Sequence, residues 1–399
     1  MRRLQFGRYD YAAFLTFFAY AAGSVVVPVC LVELAHTLGF SLAEGGMTEG
    51  GALHMGRTVA MVAAMLLVGF VAGRWGTRLT LGHSVLLMSV GVLLCAIAPT
   101  YGVLFLALML AGLGEGVIEG LATPFVKDLH PEESGRYINT THAFWSVGVL
   151  VTVLLSGILL SVGISWRLLV GAAAVLGFIA ASMILFPSRH PIPALDHHTR
   201  LHWKTVYTNE RAILTTRKFW IYYAAMFLAG GGEFCLTFWS ASHIQLQFGG
   251  LPWTGGLGVA IFALAMIIGR SLAGSFVPQE KLGSLVAIAA VAGSAITACL
   301  PSASGLWTFY LLLFGAGLAT APFWPSIQSY ATDRLDGLDH TMLLILLSCA
   351  GVPGCGAFTY LMGFLGNQTG SLSEAFYLVP AAYLVIGLLI GREHFRRSD

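Results

Sequence analysis

Glu115 and Glu119 stand four residues apart in AGLGEGVIEGLATPFV, an otherwise apolar run. At that spacing two side chains share one helix face. Carboxylates held so close repel, and removal from water disfavours their charged forms, so at least one is expected to hold a proton near neutral pH. A carboxyl that gains and loses its proton as the protein changes shape can couple proton flow to another event. Glu233 follows Gly230-Gly231-Gly232 in a second apolar run. Three glycines inside a helix cost roughly 1 kcal/mol each against alanine, which predicts a loosened or broken helix there. Glu233 then reads either as a second titrating group or as a carboxylate paired with Arg270 or His243. His142 offers a donor and an acceptor and titrates in the physiological range. It fits a solute hydroxyl, a proton shared with Glu119, or a polar packing contact. Arg270, in IIGRSLAG, reads as a gate or helix-end anchor.

No Walker-type phosphate loop is present, so ATP does not drive the chain directly. No enzyme motif occurs, and no cofactor is implied. The six cysteines (30, 95, 235, 299, 349 and 355) are scattered through apolar runs without paired spacing, the pattern of small buried residues rather than of a disulfide or metal set. His190, His197, His198 and His202 form a polar run without ligand spacing and predict no metal site. Glu33 and His36, three apart, fit the interfacial end of their helix.

Of the 399 residues, 57% are hydrophobic and 10% charged, against roughly 25% charged in a soluble domain. A water-soluble globule is excluded, and a formal charge of +2 gives no basic excess for nucleic acid. A membrane span needs about 20 apolar residues. Continuous runs such as VAMVAAMLLVGFV (Val59–Val71) and LLVGAAAVLGFIAA (Leu168–Ala181) predict helices rather than the alternating strands of a barrel. Breaks place spans near 10–37, 50–73, 79–98, 103–127, 137–162 and 166–186. A second set falls near 218–246, 255–277, 282–300, 305–329, 340–365 and 375–391. The N-terminus, without a small-residue cleavage site, reads as a retained first helix.

The expected organisation is an all-α integral membrane protein: a six-helix bundle over 1–186, a cytoplasmic linker over 187–217 and a second six-helix bundle over 218–399. With both termini cytoplasmic, every one of the 21 Lys and Arg except Arg57, Arg167 and Arg270 falls on the inner side, as the positive-inside rule demands. The halves echo each other, Leu81-Gly82 recurring as Leu282-Gly283. That layout resembles the duplicated halves of major facilitator transporters.

GFVAGRWGTR (Gly69–Arg78) resembles the superfamily signature of the loop after the second span, with Gly73 where the family has Asp. Arg74 and Arg78 are the gating candidates it supplies. The block from Ala111 to Gly148 is similar to the fucose–proton symporter branch: Glu119 five residues before Pro124-Phe125-Val126, then Pro131-Glu132-Glu133-Ser134-Gly135, Asn139 and His142. Phe323-Trp324-Pro325-Ser326-Ile327 and Leu361-Met362-Gly363-Phe364 match the same branch. Ser24, four residues before Pro28, replaces that branch's proton-titrating Asp, and Trp145 replaces a sugar-contacting Asn.

The resemblance implies a secondary transporter of a small polar solute, a sugar or polyol, working by alternating access with proton symport. Glu119, Glu115, Glu233 and His142 are the expected proton-coupling residues. Sugar rings place their C–H faces on aromatic rings while hydroxyls bond to amides and carboxylates. The expected solute contacts are Asn139, His142, Trp145, Trp239, Phe323, Trp324 and Gln328, the last lying one turn beyond a break at Pro325; Arg74, Arg78 and Arg270 are the expected gates. The drug-exporter Gly-Pro signature is missing from Ser146-Val147-Gly148-Val149-Leu150, which favours uptake. The partners are the solute, protons or sodium, and lipid, for a monomer in the cell membrane (the inner membrane in a bacterium). A uniporter, a sodium-coupled carrier and a non-transporting receptor of the same fold are the competing readings.

Overall fold

Hydrocarbon offers no hydrogen bonds, so an apolar run crossing it must satisfy its own peptide groups, and an isolated run can do so only as a helix. The computed structural model describes residues 4–132, 134–186 and 203–395. Among these residues the regular structure is helical throughout, with short 3-10 turns. The helices are α1 (Arg8–Thr37), α2 (Met47–Trp75), α3 (Thr77–Ile97), α4 (Tyr101–Leu129), α5 (Ser134–Ser161) and α6 (Trp166–Leu185). After α7 (Trp203–Leu214) come α8 (Phe219–Phe248), α9 (Pro252–Phe276), α10 (Leu282–Ala298), α11 (Leu306–Thr320), α12 (Phe323–Arg334), α13 (His340–Thr369), α14 (Leu372–Ala375) and α15 (Leu378–Phe395). Twelve stretches of these residues are long and apolar enough to span a membrane, α11 with α12 and α14 with α15 each making one span. Much of the linker expected over 187–217, with its four histidines, lies outside the described residues.

Local chemistry sets the helix ends. Thr100, Ser165 and Asp339 cap α4, α6 and α13, their side-chain oxygens accepting from the backbone N–H groups of Val103, Arg167 and Met342. Pro252 opens α9 at a position whose N–H would be orphaned anyway. Gly249 (φ 62°) and Gly370 (φ 73°) close α8 and α13 in the left-handed region, where a Cβ would be strained.

The chain divides into two compact units. Unit 1 takes Met1–Cys30 with Gly56–His202, and unit 2 takes Leu31–Met55 with Trp203–Asp399. In unit 1, α3 packs on α4 and α6. A Cβ at Gly91 would stand 2.3 Å from the Ala111 nitrogen, so these backbones nearly touch. In unit 2, α8 packs on α13 and α9, and α10 on α15. The connected ends of α1 and α2 belong to this unit. There Asn367 of α13 accepts from the Met47 N–H at 3.0 Å and donates to Thr48 Oγ1 at 2.8 Å and to the Gly45 carbonyl.

The triple glycine of α8 does not break the helix, contrary to the reading from propensity. Cβ atoms at Gly230, Gly231 and Gly232 would meet the Gly351 carbonyl at 2.3 Å, the Phe358 ring at 2.5 Å and the Tyr383 ring at 2.2 Å. The glycines are there for close packing, as between membrane helices generally. The break falls instead at Ala321-Pro322, between α11 and α12, and Pro325 lies inside the first turn of α12. Gly354 measures how tight the α8–α13 seam is, since its Cβ would stand 2.0 Å from the Phe227 carbonyl. Gly354→Val is expected to cost at least about 1–3 kcal/mol through overpacking. The check is thermal unfolding in detergent, where an unchanged midpoint would show that the seam is loose.

Candidate functional site

Three helices of unit 1 bring polar and aromatic groups together at helical spacing. Residues 17, 20 and 24 follow one another along one face of α1, residues 123, 119 and 115 along one face of α4, and 142 and 145 along α5, so successive members meet in layers. In the first layer Thr123 Oγ1 and His142 Nε2 lie 2.9 Å apart, and the His142 ring sits against Phe17 with centroids 4.6 Å apart. In the second, the Tyr20 hydroxyl donates to Glu119 Oε2 at 3.3 Å, and the Tyr20 ring meets the Trp145 ring at 4.5 Å. In the third, Arg57 of α2 donates from Nε to Glu115 Oε2 at 2.6 Å and from Nη2 to Glu115 Oε1. Its Nη2 also donates to Ser24 Oγ at 3.1 Å, and its Nη1 to the Ser24 carbonyl at 3.4 Å.

The two carboxylates of α4 therefore differ in electrostatic circumstance. Glu115 and Arg57 are both buried, with side chains 0% and 3% exposed, and form a two-pronged pair. A pair with this fork geometry offsets the cost of removing both charges from water, which a lone charge does not. Expecting Glu115 and Glu119 to repel leaves Arg57 out of account, and Arg57 cancels the charge of Glu115. Glu119 is half-buried. Among the described residues its one hydrogen-bond partner is Tyr20, and it has no ion-pair partner. It is the acid of the pair whose ionisation no neighbouring cation answers.

Unit 2 holds a second charge pair, half-buried and built on the helix break. Arg270 of α9 donates from Nη2 to the two carboxylate oxygens of Glu233 on α8, at 3.3 and 3.4 Å. Its Nε donates to the Ala321 carbonyl at 3.3 Å, at the point where α11 ends. Of the two readings of Glu233, the structure shows the pairing with Arg270. His243 lies among Phe248, Phe309 and Phe376 instead.

The other expected site residues are placed as follows. Asn139 is exposed on α5, one turn before His142. Trp239 is fully buried, and its indole N–H donates to the Thr359 carbonyl at 3.0 Å. Phe323 is fully buried against Tyr383. Trp324 is half-buried, its ring at the spot a Cβ on Gly351 would occupy. Gln328 donates to Ser348 Oγ at 3.1 Å. Arg78 donates to the Ile184 and Leu185 carbonyls at 3.3 and 3.2 Å, anchoring the end of α6, and Arg74 is exposed. Thus Glu119, Glu115, His142 and Trp145 come together in unit 1, and Glu233 joins Arg270 in unit 2, while Trp239 and Phe323 are committed to packing.

Sequence reasoning missed Tyr20 and Arg57. Tyr20 carries no motif and is one aromatic among many. Arg57 left a trace: with Arg167 and Arg270 it departs from the positive-inside distribution. All three are held by acceptors, Arg57 and Arg270 by carboxylates and Arg167 by the Ala96 and Ala98 carbonyls at 3.0 and 2.8 Å.

The family model of the Major Facilitator Superfamily matches residues 12–300. An efflux pump of Fusarium langsethiae is 29% identical over 229 residues, 56% of this chain and 36% of that protein, so the match spans about a third of that relative's length. Among solved structures, a nucleoside transporter superposes with a TM-score of 0.80 at 13% identity, covering 96% of this chain and 98% of that one. The Escherichia coli fucose:proton symporter gives 0.64 at 17%, with 96% and 98% covered.

Proposed function

The chain belongs to the Major Facilitator Superfamily, and from that premise we propose a proton-coupled secondary transporter that carries a small polar solute, a sugar or polyol, by alternating access. The membership and the twelve spanning helices make it a multi-pass membrane transporter and not an enzyme. The observation that carries the finer reading is the asymmetry among Glu115, Glu119 and Glu233. Among the described residues Glu115 and Glu233 have arginine partners, whereas Glu119 has only a hydroxyl. Ionisable groups at such depth are costly and mark transport pathways. In this reading Glu119 is the group that exchanges a proton, and Trp145, His142 and Asn139 along α5 supply a ring face, a donor–acceptor and an amide for a hydroxylated solute. Arg74 and Arg78 flank the loop between α2 and α3 and gate the cycle there, with Trp324 and Gln328 as solute contacts of unit 2. In this reading the protein is a monomer in the cell membrane with both termini in the cytoplasm.

The efflux pump among its relatives favours a second reading, proton exchange in the export direction. Reconstitution separates the two. Purified protein in proteoliposomes is loaded with unlabelled hexoses, pentoses, polyols or nucleosides and tested for counterflow of the labelled solute, then for uptake driven by an acidic exterior. Counterflow together with accumulation on the side away from the acid supports symport. Expulsion toward the acidic side supports exchange. Uptake that follows sodium at constant pH, or no counterflow of any solute, removes the proposal.

A further inference from the structure

The second layer of unit 1 joins the aromatic platform to the exchangeable acid through one side chain. Tyr20 is buried, 6% exposed, in the middle of α1. Its ring lies on Trp145 at a 59° tilt with centroids 4.5 Å apart, and its hydroxyl donates to Glu119 Oε2. A ring so enclosed cannot keep both contacts if either neighbour moves. Trp145 is half-buried, on the same face of α5 as the exposed His142, so it offers a solute a ring face that the buried Tyr20 does not. Glu119 answers to the proton and Trp145 to the solute, and Tyr20 touches both.

We infer that Tyr20 is the coupling residue of the transport cycle, a positioning residue that converts solute contact at Trp145 into a change in the hydrogen bond held by Glu119. A hydroxyl donating to a carboxylate stabilises its ionised form, so proton uptake on Glu119 and the position of the Tyr20 hydroxyl are thermodynamically linked. If solute contact moves the Tyr20 ring, the solute must shift proton binding, and by reciprocity the proton must shift solute affinity by the same factor. The neighbouring charges do not replace this link. Arg57 and Glu115, one turn away on the third layer, satisfy each other, and His142 on the first layer bonds to Thr123. The inference rests on the proposed proton-coupled transport and adds to it which side chain carries the coupling.

Tyr20→Phe tests it, because the ring and its contact with Trp145 remain while the hydroxyl is lost. In proteoliposomes the variant is expected to perform counterflow within about twofold of the wild type. Under an inward gradient of one pH unit, the wild type can accumulate solute up to about tenfold for one proton per solute, and Tyr20→Phe should approach onefold. Solute affinity, read by thermal shift across pH 5–8, should vary with pH in the wild type and flatten in the variant. Tyr20→Leu, which removes the ring as well, should lose counterflow in addition. Gradient-driven accumulation at the wild-type level by folded Tyr20→Phe would overturn the inference and leave the proton-coupled reading standing. Loss of counterflow by Tyr20→Phe with an unchanged unfolding midpoint would also overturn it, since Tyr20 would then be a solute ligand. A wild type that shows counterflow but no response to the pH gradient would remove the proton-coupled reading itself, and the inference with it.

Discussion

Arg57→Gln and Glu115→Gln, each made alone, are expected to destabilise the protein by about 3–5 kcal/mol, the cost of leaving one buried charge without its partner. The geometry places both variants at the upper end of ordinary mutational effects. Neither side chain reaches water. All three guanidinium nitrogens are engaged, in four hydrogen bonds, by Glu115 of α4 and Ser24 of α1. Removing the carboxylate strands the arginine in the core of unit 1. Removing the arginine strands the carboxylate and also frees the Ser24 hydroxyl and carbonyl, so α1, α2 and α4 lose a shared fastening. Arg57→Met with Glu115→Leu should recover most of the loss, because an apolar replacement of similar volume removes the desolvation cost along with the attraction. The check is unfolding in detergent, with Arg57→Met and Glu115→Leu also made singly so that a double-mutant cycle closes. Single variants that unfold with the wild type, or a double variant as damaged as the sum of the singles, would show that the two side chains do not act as a pair.

The membrane architecture is legible in the sequence because the bilayer demands continuous apolar runs, and Gly249, Gly370, Thr100 and Pro252 mark the ends that result. The acids of α4 are legible for the same reason, a charge in an apolar run being conspicuous. Their partners are not. Arg57 lies 58 residues from Glu115 and Tyr20 lies 99 from Glu119, so only the fold says which acid faces an arginine and which a hydroxyl. Propensity misleads at Gly230-Gly231-Gly232, where the cost of glycine in a helix is real but is outweighed by approach to Gly351, Phe358 and Tyr383. It misleads again at Trp239 and Phe323, because a large ring near a polar position reads alike whether it faces a solute or a neighbouring helix. A broken helix does occur, at Ala321-Pro322, and Arg270 takes up the Ala321 carbonyl while it holds Glu233.

Glu119→Gln is expected to abolish proton-driven accumulation while sparing exchange of solute across the membrane. Glutamine keeps the size of the side chain and an oxygen that accepts from the Tyr20 hydroxyl, but it binds no proton. Translocation steps that leave the proton in place should continue, so counterflow persists. Accumulation needs the energy of the proton gradient, about 1.36 kcal/mol or tenfold for each pH unit and proton, and without a titrating acid that energy has no entry point. Accumulation should fall to about onefold, and transport should lose its pH dependence between about pH 5 and 8. Glu233→Gln supplies the contrast. Its acid is paired with Arg270, so on the proposed reading the variant should still accumulate solute under a pH gradient, at whatever lower rate follows from loosening α8 from α9. If Glu119→Gln accumulates solute at the wild-type rate with the wild-type pH profile, or if Glu233→Gln alone abolishes the pH response, the exchangeable proton does not reside on Glu119. The layered contacts of α1, α4 and α5 would then be a packing device, and the energy input would have to be sought at the α8–α9 pair.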